Sequence, residues 1–134
     1  MNKVKHLEMI ELIIERMAKN SFQLKGWSVA IATLIITLSA NNEDKRVAFI
    51  SLIPLLSFWF LDAYYLQLER VYTVLYRLVA ARNEEQIDFC MDVSGIPRCD
   101  RLSFRSCLCA FPEMGFYLPV TIAIGIIIIV LKVL

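Results

Sequence analysis

The beginning of the chain alternates between apolar and charged positions with the spacing of a helix. Four apolar residues recur at intervals of three and four and therefore share one helical face: Leu7, Ile10, Ile14 and Met17. Charged residues occupy most of the remaining surface. Residues 1–22 are therefore predicted to form an amphipathic helix that lies on a membrane surface or packs on a partner helix, with a boundary at Asn20–Ser21.

Three apolar runs follow, each long enough to be considered as a membrane span. Residues 23–65 are predicted to form a transmembrane hairpin, with spans at about 24–40 and 47–65 joined by the polar turn Asn41–Arg46. Pro54 is expected to kink the second span. Residues 116–134 are predicted to form a third transmembrane helix, since only Thr121 and Lys132 interrupt its apolar character.

The segment between the second and third spans, residues 66–115, is predicted to be helical and exposed to water. Its first part, residues 66–82, lacks Gly and Pro and continues the helical stripe of the second span. Gly and Pro residues between 95 and 115 are expected to divide the remainder into short pieces. The fold class predicted from these patterns is an all-α integral membrane protein.

Composition and charge support this class and indicate an orientation. Apolar residues make up 58% of the 134 residues, above the roughly 45–50% of soluble domains. The net charge is only +1, so double-stranded DNA is not expected to be a partner. Lys and Arg concentrate in residues 1–25 and 66–115, which places both segments in the cytoplasm and the C-terminus on the opposite side.

Asp62 is the most informative single residue, because a carboxylate within an apolar run is costly. Lys25 precedes Asn41 by 16 positions and Asp62 follows Arg46 by 16, so the two lie level in an antiparallel hairpin. They are predicted to form a structural ion pair. The alternative is that Asp62 carries charge at the mouth of a pore.

The first span carries weakly polar residues at helical spacing, and two readings are open. Small residues allow membrane helices to approach closely, which is ordinary packing. The other reading is an aqueous path in an oligomer, with four candidate pore-lining residues: Ser28, Thr33, Thr37 and Ser39.

Arginines and aromatic residues in the 66–115 segment suit phosphate contacts and base stacking. Six residues are candidates for binding a nucleotide or oligonucleotide: Arg70, Arg77, Arg98, Arg101, Phe104 and Arg105. Of these, Arg98, Arg101 and Arg105 would share one face of a helix. The alternative is the usual positive charge of cytoplasmic segments together with anionic lipid.

No pattern in the chain supports catalysis, a cofactor or a metal site. The spacing of the four cysteines, at 90, 99, 107 and 109, lacks the close pairs of structural zinc sites. His6 is the only histidine, and there is no glycine-rich phosphate loop. The protein is therefore expected not to be an enzyme, and its thiols are expected to be reduced in the cytoplasm.

Two segments carry a resemblance to a known family. Asn20–Trp27 (NSFQLKGW) enters the first span, and Phe58–Leu66 (FWFLDAYYL) leads into Leu68-Glu69-Arg70. Over residues 1–82 this order resembles the small SLATT-like transmembrane effectors of bacterial anti-phage defence, most of all the membrane channel partner of the Hailong system. The third span departs from the two-span pattern of the group.

The resemblance implies a homo-oligomeric, ligand-gated channel in the bacterial inner membrane, expected to be a tetramer. Its C-terminus would be periplasmic. The product of a partner nucleotidyltransferase, such as a single-stranded oligo-deoxyadenylate, would hold it closed, and opening would disrupt the membrane and arrest growth. The alternatives are a non-conducting membrane anchor or adaptor for a cytoplasmic enzyme, and a holin-like pore.

Overall fold

The structure, a computed structural model, describes residues 1–97 and 102–134, and in these ranges the regular structure is helical. Helix α1 spans Asn2–Ala40, α2 spans Leu52–Ala80, α3 spans Phe104–Leu108 and α4 spans Phe111–Val133. Two 3₁₀ helices, Lys45–Ser51 and Glu84–Gln86, precede and follow α2. Three helical stretches are long and apolar enough to cross a membrane: Asn2–Ala40, Arg46–Ala80 and Phe111–Val133.

Helix α1 is continuous through Asn20–Ser21, where the sequence predicts a boundary. Neither residue breaks a helix there, and the Ser21 hydroxyl instead hydrogen bonds to the Asp62 carboxylate of α2. At 1.5 Å per residue α1 is about 58 Å long, roughly twice the thickness of a bilayer's hydrocarbon core. The predicted amphipathic helix and the predicted first span are therefore the two halves of one continuous helix.

The turn of the hairpin leads into α2 without a kink at Pro54. Asp44 caps the first 3₁₀ helix by accepting a hydrogen bond from the Arg46 backbone N–H. This 3₁₀ helix ends at Ser51, so Pro54 lies in the first turn of α2, where proline removes no helical hydrogen bond. The expected kink is therefore absent, because Pro54 lies at the start of the helix and not in its interior.

Helix α4 begins at Phe111, five positions before the predicted start of the third span. Ala110 has an extended backbone, and Pro112 occupies the first turn of the helix, the position that suits proline best. Pro112 thus starts a helix, and Gly115 lies inside it. Helix α4 runs antiparallel to α2, and its Lys132 ammonium lies 4.8 Å from the centre of the Phe49 ring.

We call the part of the structure where α1, α2 and α4 pack together the three-helix region. Its apolar core is small and centred on α2 and α4. Its buried members come from α1, the first 3₁₀ helix, α2 and α4: Ala32, Ala48, Leu55, Tyr117, Ile124 and Ile128. Much of the outer surface is apolar and exposed, as in the isoleucines at 126, 127 and 129. An apolar exterior around a thin core is the arrangement expected of helices that face lipid.

A second core lies where α1 and α2 extend beyond the three-helix region. We call this part, residues 2–24, 63–80 and 87–96, the projecting region. Ile10, Leu75 and Val79 form its centre, and the non-helical segment 87–96 covers them with four apolar side chains: Ile87, Met91, Val93 and Ile96. His6 is fully buried beside this segment, with Nε2 3.2 Å from the Cys90 carbonyl oxygen.

Glu84, just beyond α2, closes the projecting region at the start of α1. Its carboxylate accepts hydrogen bonds from the backbone N–H groups of Asn2 at 2.5 Å and Lys3 at 3.3 Å. These groups have no partner within the helix, and the helix dipole favours a negative charge there. The hydrogen bond from the Met1 amino group, together with those from Lys3 and Asn2, lowers the pKa of Glu84.

Candidate functional site

Three charged residues that border the apolar runs of α1, α2 and α4 meet at one point. Residues 26–40, 47–61 and 114–131 carry no charge, and these runs are bordered by Lys25, Asp62 and Glu113. The runs of α1 and α2 are about 22 Å long at 1.5 Å per residue, shorter than a hydrocarbon core of about 30 Å. In a bilayer the three charges would therefore lie within the edge of the apolar layer.

The Lys25 ammonium is shared between two carboxylates from different helices. Its Nζ lies 2.5 Å from Asp62 Oδ2 and 3.4 Å from Glu113 Oε1. It also lies 3.0 Å from the Ser21 hydroxyl, one helical turn earlier on α1. Asp62 is fully buried and Glu113 is 1% exposed, so the ammonium is the cation that makes their burial possible.

Tyr117 closes the cluster on the side of the apolar core. Its hydroxyl donates a hydrogen bond of 3.0 Å to Asp62 Oδ2, and its side chain is fully buried. The ring stacks on Trp59 with centroids 5.9 Å apart. Glu113 and Tyr117 are one turn apart on α4, so a single face of this helix supplies both contacts. We call Ser21, Lys25, Asp62, Glu113 and Tyr117 the charge cluster.

The charge cluster contains one more acid than base. Lys25 faces two carboxyl groups, and Glu113 Oε2 is buried without a hydrogen-bond partner among the described residues. An unsatisfied buried charged oxygen is costly, since each lost hydrogen bond of such a group costs about 1–3 kcal/mol or more. Full ionisation of both acids would leave a net negative charge in an apolar setting.

An open cleft of about 320 Å³ lies beside the charge cluster, between α1, α2 and the start of α4. Its polar lining consists of Ser21, Lys25, Glu69 and Glu113. Lys25 keeps 18% of its side chain exposed, so the ammonium is the cluster's link to this cleft.

The structure brings Lys25 and Asp62 together, as the hairpin register predicts. The sequence interpretation missed Glu113, because it assigned residues up to 115 to the water-exposed segment. It placed Tyr117 in the third span without a role. The signal lay in Phe111-Pro112: a proline at the start of an apolar run indicates the first turn of a helix. A helix from there places Glu113 and Tyr117 on one face.

The four candidate pore-lining residues fall on two different surfaces. Ser28 and Ser39 are fully buried within the chain, and their hydroxyls donate to the carbonyl oxygens of Lys25 and Ile35. A path shared between copies of the chain would be lined by exposed side chains, so these two serines are not available to it. Burial therefore favours the two threonines over the two serines, and the pore-lining role itself stays a prediction.

Thr33 and Thr37 instead lie on the surface, in a groove of about 290 Å³ between α1 and α4. Small side chains, Ala32 and Ala123, form part of its lining. The Thr37 hydroxyl donates to the Thr33 carbonyl oxygen at 2.8 Å, which satisfies it within the helix. We call this surface the α1–α4 groove.

The candidate ligand-binding residues are dispersed. Arg77 and Arg105 are exposed, whereas Arg70 contacts the Cys107 thiol of α3 at 3.7 Å. Burial raises the pKa of this thiol despite the neighbouring guanidinium. The Phe104 ring stacks on the Phe60 ring of α2, with the ring centroids 6.2 Å apart.

Of the three arginines that the sequence places on one helical face, Arg105 is the one that the structure describes. Ser103 has an extended backbone and caps α3, so Arg105 lies in the first turn of a helix that begins at Phe104. Arg98 and Arg101 lie outside the described residues, so the shared face stays a prediction.

Within the described ranges, no three His, Cys, Asp or Glu side chains are grouped so that they could hold a metal ion. Of the three cysteines in these ranges, Cys90 and Cys109 are exposed and Cys107 is buried. No protein-family model, curated protein or solved structure matches this chain.

Proposed function

We propose that the protein is a homo-oligomeric, ligand-gated membrane channel that acts as an effector in bacterial anti-phage defence. A nucleotide or DNA-oligomer signal holds it closed, and opening disrupts the membrane and arrests growth. The α1–α4 groove carries this proposal: one chain has an exposed intramembrane groove lined in part by Thr33 and Thr37. Three helices are too few to enclose an aqueous path, so conduction requires several copies.

The surface of the groove suits contact between copies. Alanine and threonine side chains allow two membrane helices to approach closely, and packing of this kind drives association within lipid. Hydroxyl groups that face a neighbouring copy can line a narrow polar path. The resemblance of residues 1–82 to SLATT-like effectors points to the same type of assembly.

The segment of residues 66–115 is the proposed receptor for the signal. Arg77 and Arg105 are exposed and can reach phosphate groups of a nucleic-acid strand. Arg98 and Arg101 remain candidates from the sequence. A short single strand rich in deoxyadenosine is the ligand that the resemblance suggests.

The first experiment measures the mass of the purified protein in detergent by light scattering with correction for bound detergent. An oligomer, with a tetramer as the expected stoichiometry, supports the proposal. A stable monomer that is equally monomeric in lipid nanodiscs contradicts it.

The second experiment measures ion flux from liposomes with and without oligo-deoxyadenylate, with oligo-deoxythymidylate of equal length as the control. Deoxyadenylate is expected to suppress the flux. Replacing Arg98, Arg101 and Arg105 together with Ala should abolish suppression, whereas Arg16→Ala, an exposed arginine on α1, should not. A holin-like pore would conduct regardless of oligonucleotide, and a membrane anchor would not conduct at all.

A further inference from the structure

The acidic excess of the charge cluster has a chemical consequence. Lys25 balances one carboxylate, and the second carboxyl group must be either neutral or buried with its charge. Asp62 and Glu113 both contact the Lys25 ammonium, with Asp62 Oδ2 at 2.5 Å and Glu113 Oε1 at 3.4 Å, so the two carboxyl groups share one site. A negative charge on one carboxyl group disfavours a charge on the other, and carboxyl pairs that share a site hold a proton for this reason.

Glu113 is the carboxyl group whose surroundings favour the proton. Asp62 already accepts from the Lys25 ammonium, the Ser21 hydroxyl and the Tyr117 hydroxyl. Those three donors stabilise its charged form. Glu113 has the longer contact of 3.4 Å with Lys25, and no donor in the described part of the chain reaches its Oε2. A proton on Glu113 makes the cluster electrically neutral and removes the uncompensated charge from this oxygen.

We propose that Asp62 and Glu113, beside Lys25, form an intramembrane binding site for one proton, and that this proton holds the start of α4 against the α1–α2 hairpin. Ionisable groups within membrane segments commonly serve as proton sites for this electrostatic reason. Loss of the proton leaves an uncompensated charge on α4, which is relieved when its first turn separates from the hairpin and Glu113 becomes hydrated through the adjacent cleft.

Among the residues that the structure describes, few other titratable groups surround Glu113, and they can be tested separately. They are Lys25 on α1, Asp62 and Glu69 on α2, Cys107 on α3 and Tyr117 on α4. Arg70 lies behind Cys107. Glu69 is half-buried and lines the same cleft, whereas the ion pairs of the Lys25 ammonium are with Asp62 and Glu113. Glu69 therefore provides a matched control.

The proposal is tested by infrared spectroscopy and by a distance measurement on the full chain in nanodiscs. The infrared spectrum should contain the C=O band of a protonated carboxyl group in a dry environment, and this band should disappear as pH rises. Spin labels replacing Phe22 and Phe111, both highly exposed, report the separation of α1 and α4 in a background without native cysteines. Wild type should show a short distance at low pH and a longer one at high pH, over a range of about pH 5 to 10.

Three variants define the result. Glu113→Gln should remove the infrared band and keep the distance short at every pH, because the amide is permanently neutral. Glu113→Asp should retain a titrating distance, and Glu69→Gln should leave both readouts as in wild type. A wild-type distance that does not change with pH overturns the proposal, as does a Glu113→Gln variant that titrates like wild type. Neither readout requires conduction, so failure of the proposed channel would leave this result intact.

Discussion

Lys25 Nζ on α1 lies 3.4 Å from Glu113 Oε1 on α4, although 88 positions separate the two residues in the chain. The same ammonium lies 2.5 Å from Asp62 on α2. One side chain thus holds three helices together at the edge of their apolar runs. The stability of the three-helix region should depend on it more than on any exposed charge.

Lys25→Met should destabilise the fold by about 3–5 kcal/mol, because removing one partner of a buried ion pair leaves the other uncompensated. Two carboxyl groups are left without a cation here. The free energy of unfolding, measured by circular dichroism during denaturation in detergent micelles, checks this. Lys19→Met, an exposed lysine on the same helix, should change it by no more than about 0.5 kcal/mol. Equal effects of the two substitutions would contradict the role of the cluster.

Tyr117→Phe tests the contact between α4 and Asp62 without altering the stacked ring. The substitution removes the hydroxyl that donates to Asp62 Oδ2 at 3.0 Å. Hydrogen bonds to charged groups contribute about 1.5–3 kcal/mol, and we expect a loss of this size in the free energy of unfolding. Tyr64→Phe, at an exposed tyrosine of α2, is the matched control and should be close to neutral.

The ion pair was predictable because its two residues belong to one hairpin. Lys25 and Asp62 are equally spaced from the polar turn, and this spacing fixes their register. The register is kept although a 3₁₀ helix separates the turn from α2. Glu113 could not be placed in the same way. Its position depends on how the chain returns from α2 to α4, and residues 81–97 and 102–110 have little regular secondary structure.

The spacing of residues in the sequence also could not predict which side chains of α1 are buried. Ser28, Thr33, Thr37 and Ser39 look equivalent as small polar residues in an apolar run. The structure separates them because the segments packed against α1 cover one side of it, so the serines are buried and the threonines exposed. This assignment requires tertiary packing.

Ala123→Trp tests whether copies meet at the α1–α4 groove. The indole would occupy the space between the helices beside Thr33 and Thr37 and block close approach of a neighbour. We expect a lower oligomer mass in detergent than for wild type. Ile122→Trp adds the same ring at the adjacent position, which is 54% exposed and outside the groove, and should leave the mass unchanged. A reduced mass in both variants would show that the groove has no special role.

Cysteine reactivity should distinguish the buried thiol from the exposed ones. Burial raises the pKa of Cys107, so less of it is thiolate at neutral pH, and the thiolate is the reactive form. Mass spectrometry after limited treatment with iodoacetamide should find Cys90 and Cys109 alkylated well before Cys107. Denaturant should equalise the three rates. Early alkylation of Cys107 in the folded protein would show that α3 does not pack on α2 as described.

Glu84 should make the attachment of the α1 N-terminus dependent on pH. The pKa of Glu84 is lowered in the folded state, so its stabilising effect is present above the pKa of the unfolded chain, about 4.3, and is lost as pH falls through the lower folded value. Hydrogen exchange at the first turn of α1, corrected for the intrinsic pH dependence of exchange, should therefore accelerate in acid.

Glu84→Gln should accelerate the same exchange already at neutral pH, because the amide keeps an acceptor oxygen but loses the charge that favours the helix N-terminus. It should also remove most of the acid dependence. Glu85→Gln alters the neighbouring exposed carboxylate and is the control, with exchange expected to match wild type. If the two variants behave alike, the effect reflects the overall charge of this turn and not the contact of Glu84 with Asn2 and Lys3.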